Sequence, residues 1–287
     1  MSIVYLNGEF IPAADASISP LDRGFIFADG VYEVIPVFHG RLFRLEDHLQ
    51  RLDLSLAGIK IKQPFNHGQW KEILTELVDK NGGGNLSLYL QVTRGVAPRD
   101  HAFPIDTPPT IFAMVTALKP LSPEIVRHGV AAVTLEDIRW KFCNIKSIAL
   151  LPNILLRQQA IENGATEAIL IREGKVTEGA ASNVFIVTAN RLITPPKGPG
   201  LLPGITRDLV LELAKNHDIA VQEAEISLFD LQNADEIWLT SSTREIIPVT
   251  SLDGKPVKSG IPGPMWIRVS QIYQQYKQDI MDLLETA

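Results

Sequence analysis

Lys146 is a candidate nucleophile in this sequence. It lies in the segment FCNIKSIALLP, where nearly every residue that follows it is apolar. An amine among apolar groups is more readily held neutral, and a neutral lysine amine attacks carbonyl carbons. The same local pattern is more often that of a lysine reaching solvent from a strand edge, and Lys141 has similar neighbours. Local sequence therefore makes Lys146 a candidate nucleophile and does not decide whether its amine is buried or solvated.

Glu178 is a candidate for holding a proton on a ring nitrogen. It lies in KVTEGAASNVFIV, between two strand-like runs and directly before four small residues. Small residues allow the backbone or a planar ligand to approach closely. The alternative, which the residue pattern taken alone favours, is a solvated turn residue.

Two short segments and one arginine have the chemistry of a phosphate site. The residues GIT at 204–206 stand where a loop is predicted to enter a helix, so free amides and the helix dipole would attract an anion. The residues SST at 241–243 offer hydroxyls and amides directly after a predicted strand. Arg51, on a leucine-rich predicted helix, could make a two-pronged phosphate contact, although a solvated arginine is the commoner case. No GK[ST] follows the glycines, so a nucleotide P-loop is not predicted.

Arg99 and His101 could bind a carboxylate together. They lie in the proline-rich segment TRGVAPRDHAFP, which is predicted to be a loop, and loops often carry function. An ordinary surface loop is the alternative. Histidines such as His48 and His128 lack metal-ligand spacing, so no metal site is predicted, and Cys143 is expected to be inert.

The hydrophobic periodicity predicts alternating strands and helices around these residues. Asn7-Gly8 predicts a hairpin near the start, and helices are expected at 45–57, 69–79, 153–164, 206–217 and 265–284. Thr206 is the expected N-cap of the fourth of these helices. Strand-like runs occupy most of the remaining sequence, including three or four short strands at 165–195.

Length and composition indicate a two-domain globular protein. The chain has 287 residues, of which 45% are hydrophobic and 21% charged, and this length exceeds a typical single domain. The predicted boundaries are a first domain at 1–119, a linker at 120–123 that is bracketed by prolines, and a second domain at 124–287.

Charge and cysteine usage restrict the partners and the location that we expect. The net charge is −6 with no basic run, so nucleic-acid binding is not expected. No apolar stretch approaches the roughly 20 residues of a membrane span, and the first residues lack the features of a signal peptide. The single cysteine, Cys143, is typical of a reducing compartment, so a cytoplasmic location is predicted.

Six ordered segments resemble the class IV aminotransferases, also called pyridoxal-phosphate (PLP) fold type IV. They are LDRGFIFADGVYEV, HLQRL, DIRWKFCNIKS, VTEGAASNVF, LLPGITRD and LTSSTREIIPV, and the likeness extends from the first hairpin to Pro248. Within the family, the pattern is most similar to that of the D-amino acid members. The resemblance implies an α/β fold with α+β character, with a small N-terminal α/β domain and a larger C-terminal domain that contains a mixed-sheet pseudo-barrel.

The resemblance also implies roles for particular residues. Lys146 would form the Schiff base (aldimine) with PLP and would transfer the proton between the substrate Cα and the cofactor C4′. Glu178 would pair with the pyridine nitrogen, and Leu202 would pack against the ring. The phosphate and substrate residues carried over are Arg51, Ile205 (through its backbone amide), Thr206, Ser241 and Ser242 for the cofactor, and Tyr32, Arg99 and His101 for the substrate carboxylate.

The implied reaction is transamination between a D-amino acid, such as D-alanine, and a 2-oxo acid, such as 2-oxoglutarate. The family also implies a homodimer in which the partner subunit supplies Arg99 and His101. Two departures stand out, because Ala180 and Ala181 occupy positions that are usually serine and Ser242 occupies one that is usually threonine. The missing hydroxyls leave the hydrogen bonding near the cofactor open.

Several other functions remain as alternatives. A branched-chain L-amino acid transaminase, an (R)-amine transaminase and an aminodeoxychorismate lyase share the same fold. A non-catalytic α/β protein that binds a small phosphate is the alternative from a different class.

Overall fold

The computed structural model describes residues 2–285, which form two compact units. The first unit comprises the chain up to Lys119 together with Ile145–Leu150, and the second comprises Pro120–Asn144 and the chain from Leu151 onward. The predicted boundaries differ at 145–150, which sequence analysis assigns to the second domain. These residues join the first unit because their backbone pairs with it: the Tyr32 amide donates to the Lys146 carbonyl at 3.0 Å, and the Ile148 amide to the Gly30 carbonyl at 3.1 Å.

The first unit is a six-stranded sheet packed against helices. Its elements in chain order are β1 (Ile3–Leu6), β2 (Glu9–Pro12), α1 (Arg23–Phe27), β3 (Gly30–Phe38), β4 (Arg41–Leu42), α2 (Leu45–Gly58), α3 (His67–Lys80), β5 (Leu86–Thr93) and β6 (Thr110–Ala117). The strand order is β2-β1-β6-β5-β3-β4, and every pairing is antiparallel.

Local sequence accounts for most elements of this unit. The predicted hairpin is confirmed, since Asn7 and Gly8 have positive φ angles between β1 and β2. The predicted helix at 45–57 is confirmed as α2, which buries its leucine face in the core. The helix predicted at 69–79 begins slightly earlier as α3, because Asn66 and Gln69 form a reciprocal capping box.

One short helix was not expected from sequence. Periodicity predicts no helix around 22–24, whereas α1 forms there with Asp22 as its N-cap. The Asp22 side chain accepts from the Gly24 amide at 2.8 Å, which satisfies one of the free amides of the first turn. This helix places Arg23 and Phe27 one turn apart on the same face.

The second unit contains a larger mixed sheet. Its elements are α4 (Pro123–His128), β7 (Val130–Glu136), α5 (Leu151–Glu162), β8 (Glu167–Arg172), β9 (Lys175–Gly179), β10 (Asn183–Thr188), β11 (Arg191–Thr194), α6 (Ile205–Asn216), β12 (Val221–Glu223), α7 (Leu228–Gln232), β13 (Glu236–Ser241), β14 (Glu245–Leu252), β15 (Lys255–Pro256) and α8 (Pro264–Glu285).

The nine strands of this sheet form a curled half-barrel. The order is β12-β11-β10-β13-β14-β7-β8-β9, with β15 paired to β14. Three pairings are parallel, β11 with β12, β14 with β7 and β7 with β8, and the others are antiparallel. The last strand of this order, β9, lies beside β10, which is third in it, so the sheet curls back toward itself. The predicted run of short strands at 165–195 is confirmed as β8 to β11.

The predicted N-cap of the helix at 206–217 is wrong. Gly204, not Thr206, is the N-cap of α6, and it has an extended backbone with no side chain to cap the helix. A Cβ atom at Gly204 would collide with the Asn183 side chain at the start of β10. The start of this helix is therefore set by its packing against a neighbouring strand, which a local capping rule does not include.

The helices predicted at 153–164 and 265–284 correspond to α5 and α8, whereas α4 was not predicted. Ser122 caps α4 within the predicted linker, by accepting from the Ile125 amide. None of the helices within residues 2–285 combines the length and the apolar composition that a membrane span requires.

Two leucines on α2 provide a test of the first core. Leu52 is fully buried in the core, so Leu52→Ala should lower the free energy of unfolding by about 2–5 kcal/mol. Leu54 is 69% exposed on the same helix, so Leu54→Ala should change that free energy by no more than about 0.5 kcal/mol. Urea denaturation followed by tryptophan fluorescence measures both, because Trp70 lies in the same core. Equal losses in the two variants would contradict this packing.

Candidate active site

Lys146 is held at its backbone by two different elements of the first unit. Its amide donates to the Ser55 hydroxyl of α2 at 3.2 Å, and its carbonyl accepts from the Tyr32 amide of β3 at 3.0 Å. Its ε-amine lies 4.2 Å from the centre of the Tyr32 ring, an attractive geometry for a cation. Lys146 is half-buried.

Arg51 is buried and paired. It forms a bidentate contact with Glu33 of β3, with Nε to Oε1 at 2.8 Å and Nη2 to Oε2 at 2.7 Å. Burial raises the pKa of Glu33, but the charge and hydrogen bonds of Arg51 outweigh it and lower that pKa to about 2. His48 Nδ1 lies 2.7 Å from the same carboxylate, and burial lowers the pKa of His48. The solvated-arginine alternative is therefore wrong.

Sequence analysis did not identify Glu33 and His48 as part of this cluster. The available signal was the acidic residue inside the apolar run VYEVIPVF, since a carboxylate in a buried strand requires a partner.

Glu178 is also buried, at 5% exposure, so the solvated-turn alternative is wrong for this residue. Its Oε2 accepts from the Asn183 side chain and from the Leu202 amide, each at 3.1 Å, and its Oε1 accepts from Arg139. Burial raises the pKa of Glu178 to about 7, against the lowering effects of Arg139 and the Leu202 amide. A carboxyl group with this pKa can exchange a proton near neutral pH.

Arg139 is the partner that sequence analysis missed. Its Nε and Nη2 donate to the two oxygens of Asp137, each at 2.9 Å, while Nη1 donates to Glu178. Asp137 also accepts from the Thr177 hydroxyl at 2.9 Å. The sequence did contain a signal for this pair. In the segment DIRWKF, Asp137 and Arg139 stand two positions apart at the end of a strand-like run.

The start of α6 adjoins the Glu178 cluster in the second unit. The Asn183 amide that donates to Glu178 also donates to the Leu202 carbonyl at 2.9 Å, two residues before the Gly204 N-cap. The first amides of a helix have no acceptor within the helix, so those of Ile205 and Thr206 are suited to an anion. Both residues are buried.

The two predicted serines follow a neighbouring strand. Ser241 ends β13 and Ser242 comes directly after it, and both are half-buried. Between Glu178 and β10, Ala180 is buried with its backbone fully used: its amide donates to Ala168 and its carbonyl accepts from Asn153. Ala181 is exposed.

Arg99 and His101 are exposed and lie around Phe27 in the first unit. The Arg99 guanidinium is 5.2 Å from the centre of the Phe27 ring, and the His101 ring centre is 5.5 Å from it. The structure thus brings these two residues together, and it brings Tyr32 together with Lys146. Within the part of the chain that the structure describes, no group of His, Cys, Asp and Glu could hold a metal ion.

Each unit carries part of the chemistry that a phosphorylated aromatic aldehyde requires. The first unit offers an amine for the aldehyde and a fixed guanidinium for a phosphate. The second unit offers a buried carboxyl group for a ring nitrogen and helix amides for a phosphate.

Comparison with known proteins identifies the class. A family model described as Amino-transferase class IV matches residues 30–252. The D-alanine aminotransferase of Bacillus licheniformis is 42% identical over 271 residues, which cover 94% of this chain and 95% of that protein. A branched-chain amino acid aminotransferase structure from Escherichia coli has a TM-score of 0.90 at 26% identity and covers 94% of this chain and 92% of that chain. A branched-chain amino acid aminotransferase structure from T.th., with pyridoxamine 5'-phosphate, has a TM-score of 0.90 at 26% identity, with coverage of 96% and 93%.

The chain therefore belongs to the class IV aminotransferase family, and its fold is the fold type IV of those enzymes. The predicted fold class and the predicted enzyme class are both confirmed.

Removing Arg139 should raise the pKa of Glu178 above about 7. Desolvation raises the pKa of Glu178. In Arg139→Gln, only the neutral donors of Asn183 and Leu202 would oppose that effect. A pH titration by NMR on protein with ¹³C-labelled glutamate carboxyl groups measures this, with Glu178→Gln identifying the resonance.

Arg172→Gln is the matched control, because Arg172 pairs with Asp137 rather than with Glu178. This control should move the pKa of Glu178 much less. An unchanged or lower pKa in Arg139→Gln would refute the role of Arg139 as the charge partner of Glu178.

Proposed function

We propose that this protein is a PLP-dependent transaminase that transfers the amino group of a D-amino acid, such as D-alanine, to a 2-oxo acid, such as 2-oxoglutarate. The observation that carries the proposal is a near full-length match to a protein named D-alanine aminotransferase at 42% identity. The structural neighbours named branched-chain amino acid aminotransferases are more distant, at 26% identity.

The residues present fit PLP as the cofactor. A neighbouring structure of the same fold holds pyridoxamine 5'-phosphate, and this chain offers the amine, the buried carboxyl group and the anion-binding amides that such a molecule requires. When bound, PLP supplies a ring that accepts the negative charge developing at the substrate Cα.

Lys146 is the proposed catalytic residue. Its side chain would bind the cofactor aldehyde and, once released by the incoming amine, would move the proton to and from the substrate Cα. The fixed backbone supports this role, because hydrogen bonds to Ser55 and Tyr32 hold the base of a flexible side chain. Tyr32, 4.2 Å from the amine, lies beside the position where the proton would move.

Glu178 would hold the proton on the ring nitrogen. A protonated ring nitrogen increases the capacity of the ring for negative charge, and the buried carboxylate stabilises that positive charge. Leu202 is proposed to pack against the ring, and its amide contact with Glu178 at 3.1 Å supports its closeness to that acid.

The proposed phosphate residues are Arg51 and a set of backbone and hydroxyl donors. Arg51 would donate to the phosphate with its plane already fixed by Glu33. The amides of Ile205 and Thr206 and the hydroxyls of Thr206, Ser241 and Ser242 would supply further donors.

The two alanines after Glu178 leave fewer hydroxyls near the proposed cofactor site. Ala180 lies in a turn whose backbone is already hydrogen bonded, through its amide and its carbonyl. The backbone at Ala180 is therefore satisfied without a hydroxyl on its side chain.

Arg99 and His101, with Tyr32, would bind the substrate carboxylate. The first two are exposed, which is consistent with their serving the site of a second copy of the chain. A homodimer is further supported by exposed apolar side chains in the second unit, namely Trp140, Phe142, Leu151, Ile154 and Leu155.

A cytoplasmic location stays a prediction, supported by the free thiol of Cys143.

The spectrum of the holoenzyme tests the donor class directly. Adding D-alanine without any 2-oxo acid should abolish the visible absorbance of the bound cofactor, because the amino group is transferred and the donor leaves as pyruvate. L-leucine and (R)-1-phenylethylamine should leave that absorbance largely unchanged. Lys146→Ala should show no turnover with any donor.

Each other outcome identifies a different enzyme. A response to L-leucine alone would replace the proposal with a branched-chain transaminase, and a response to (R)-1-phenylethylamine alone with an amine transaminase. Pyruvate release from aminodeoxychorismate without a 2-oxo acid would indicate the lyase. Near-normal transamination by Lys146→Ala would overturn the assignment of that lysine.

Light scattering tests the dimer. The mass in solution should be twice the protomer mass of 31.7 kDa. Ile154→Asp should reduce it toward one protomer, because a charge would replace an exposed apolar side chain on α5. Ile261→Asp, which alters another exposed isoleucine away from that helix, is the control and should leave the mass unchanged. A monomeric wild-type protein would refute the dimer.

A further inference from the structure

The segment between β5 and β6, residues 94–109, carries Arg99 and His101 and is called the clamp loop here. It contains no helix and, apart from one isolated bridge at Val96, no strand pairing. A loop of this kind has no ladder of its own to fix the two side chains, so its position depends on contacts from outside.

Arg23 supplies such a contact from beneath the clamp loop. Its side chain is 4% exposed, and its Nη1 donates to the Asp100 carbonyl at 2.6 Å and, more weakly, to the Ala102 carbonyl at 3.4 Å. These two carbonyls belong to the residues on either side of His101. One buried guanidinium therefore holds the backbone on both sides of that histidine.

A shared carboxylate fixes Arg23 in turn. Asp29 accepts from Arg23 Nε at 2.9 Å and from Arg94 Nε and Nη2 at 2.7 and 2.9 Å. Burial raises the pKa of Asp29, but Arg94 and Arg23 outweigh it and lower that pKa below its usual value. Arg94 is the first residue of the clamp loop, and it also donates to the Ile59 carbonyl at 2.7 Å.

The ring of Phe27 completes the support. Phe27 ends α1, one turn after Arg23, and the Arg23 guanidinium lies 4.8 Å from its ring centre. Arg99 and His101 contact the same ring, at 5.2 and 5.5 Å. Arg23 thus contacts both the backbone beside His101 and the aromatic ring that both clamp side chains share.

We infer that Arg23 is a positioning residue for substrate binding, which holds the clamp loop so that Arg99 and His101 meet the carboxylate of the amino donor. This inference rests on the proposed function of those two residues. Arg23 makes its contacts with backbone carbonyls and with Asp29, and it acts through the loop.

The expected signature is a selective loss of carboxylate binding. Without Arg23 the clamp loop would sample other positions, and the carboxylate would bind less often in the correct geometry. Arg23→Gln should therefore raise the KM for D-alanine about tenfold, in line with the loss of one charged hydrogen bond. The kcat should change by less than about twofold, because Lys146 and Glu178 are untouched.

Three variants sharpen the measurement. Arg23→Lys keeps the charge, but one ammonium group cannot span Asp29 and the Asp100 carbonyl, so the KM should also rise. Phe27→Leu removes the shared ring and should raise the KM to a smaller extent, which keeps the test open if Arg23→Gln does not fold. Arg191→Gln, which removes an exposed arginine of the second unit, is the control and should leave the KM unchanged.

A double-mutant cycle with the Arg99→Ala/His101→Ala variant separates positioning from general stability. If Arg23 acts through the clamp, Arg23→Gln should have little further effect on the KM once both clamp side chains are removed. Equal effects in both backgrounds, an unchanged KM in Arg23→Gln, or a fall in kcat alone would overturn the inference.

The single variants separate this inference from the proposed function. If Arg99→Ala and His101→Ala raise the KM and neither Arg23→Gln nor Phe27→Leu does, the positioning role fails and the clamp stands. If neither Arg99→Ala nor His101→Ala alters the KM, the carboxylate role and the positioning role both fail.

Discussion

Removing a carboxylate from water is the physical constraint to which much of this structure responds. Desolvation of such a group costs several kcal/mol unless charges and hydrogen bonds replace the lost water. Glu178 is surrounded by Arg139, the Asn183 amide and the Leu202 amide. These donors must be held in place, and Asp137 does this for Arg139. The strand ends and the start of α6 are therefore arranged around one acidic side chain.

The first unit also pairs carboxylates with arginines, but there each carboxylate fixes the orientation of an arginine. Glu33 fixes the plane of Arg51, and Asp29 fixes Arg23 together with Arg94. A guanidinium paired on one side presents its remaining donors in a defined direction, and less entropy is lost when it binds an anion. Each of these arginines is thus held in one orientation by its carboxylate partner.

Lys146 differs from these fixed groups, since the proton transfer proposed for it requires its side chain to move. Its backbone is anchored to α2 and β3, while its side chain is half-buried over an aromatic ring. The anchoring also explains why residues 145–150 group with the first unit although they follow part of the second in sequence. A flexible side chain on a fixed backbone can reach two atoms in turn, as a proton transfer between them requires.

Sequence alone determined the elements with strong local signals. The leucine period of α2 and the Asn7-Gly8 hairpin are local, so periodicity and turn chemistry predicted them. Six ordered segments were enough to indicate the family and to nominate Lys146 and Glu178 from weak local context. Tertiary structure alone decided the burial of Glu178 and Arg51, the partners Arg139, Glu33 and Arg23, and the start of α6 at Gly204 rather than Thr206. These features depend on groups that are far apart in the chain and meet only after folding. No local sequence pattern encodes the loss of water that makes such groups interact.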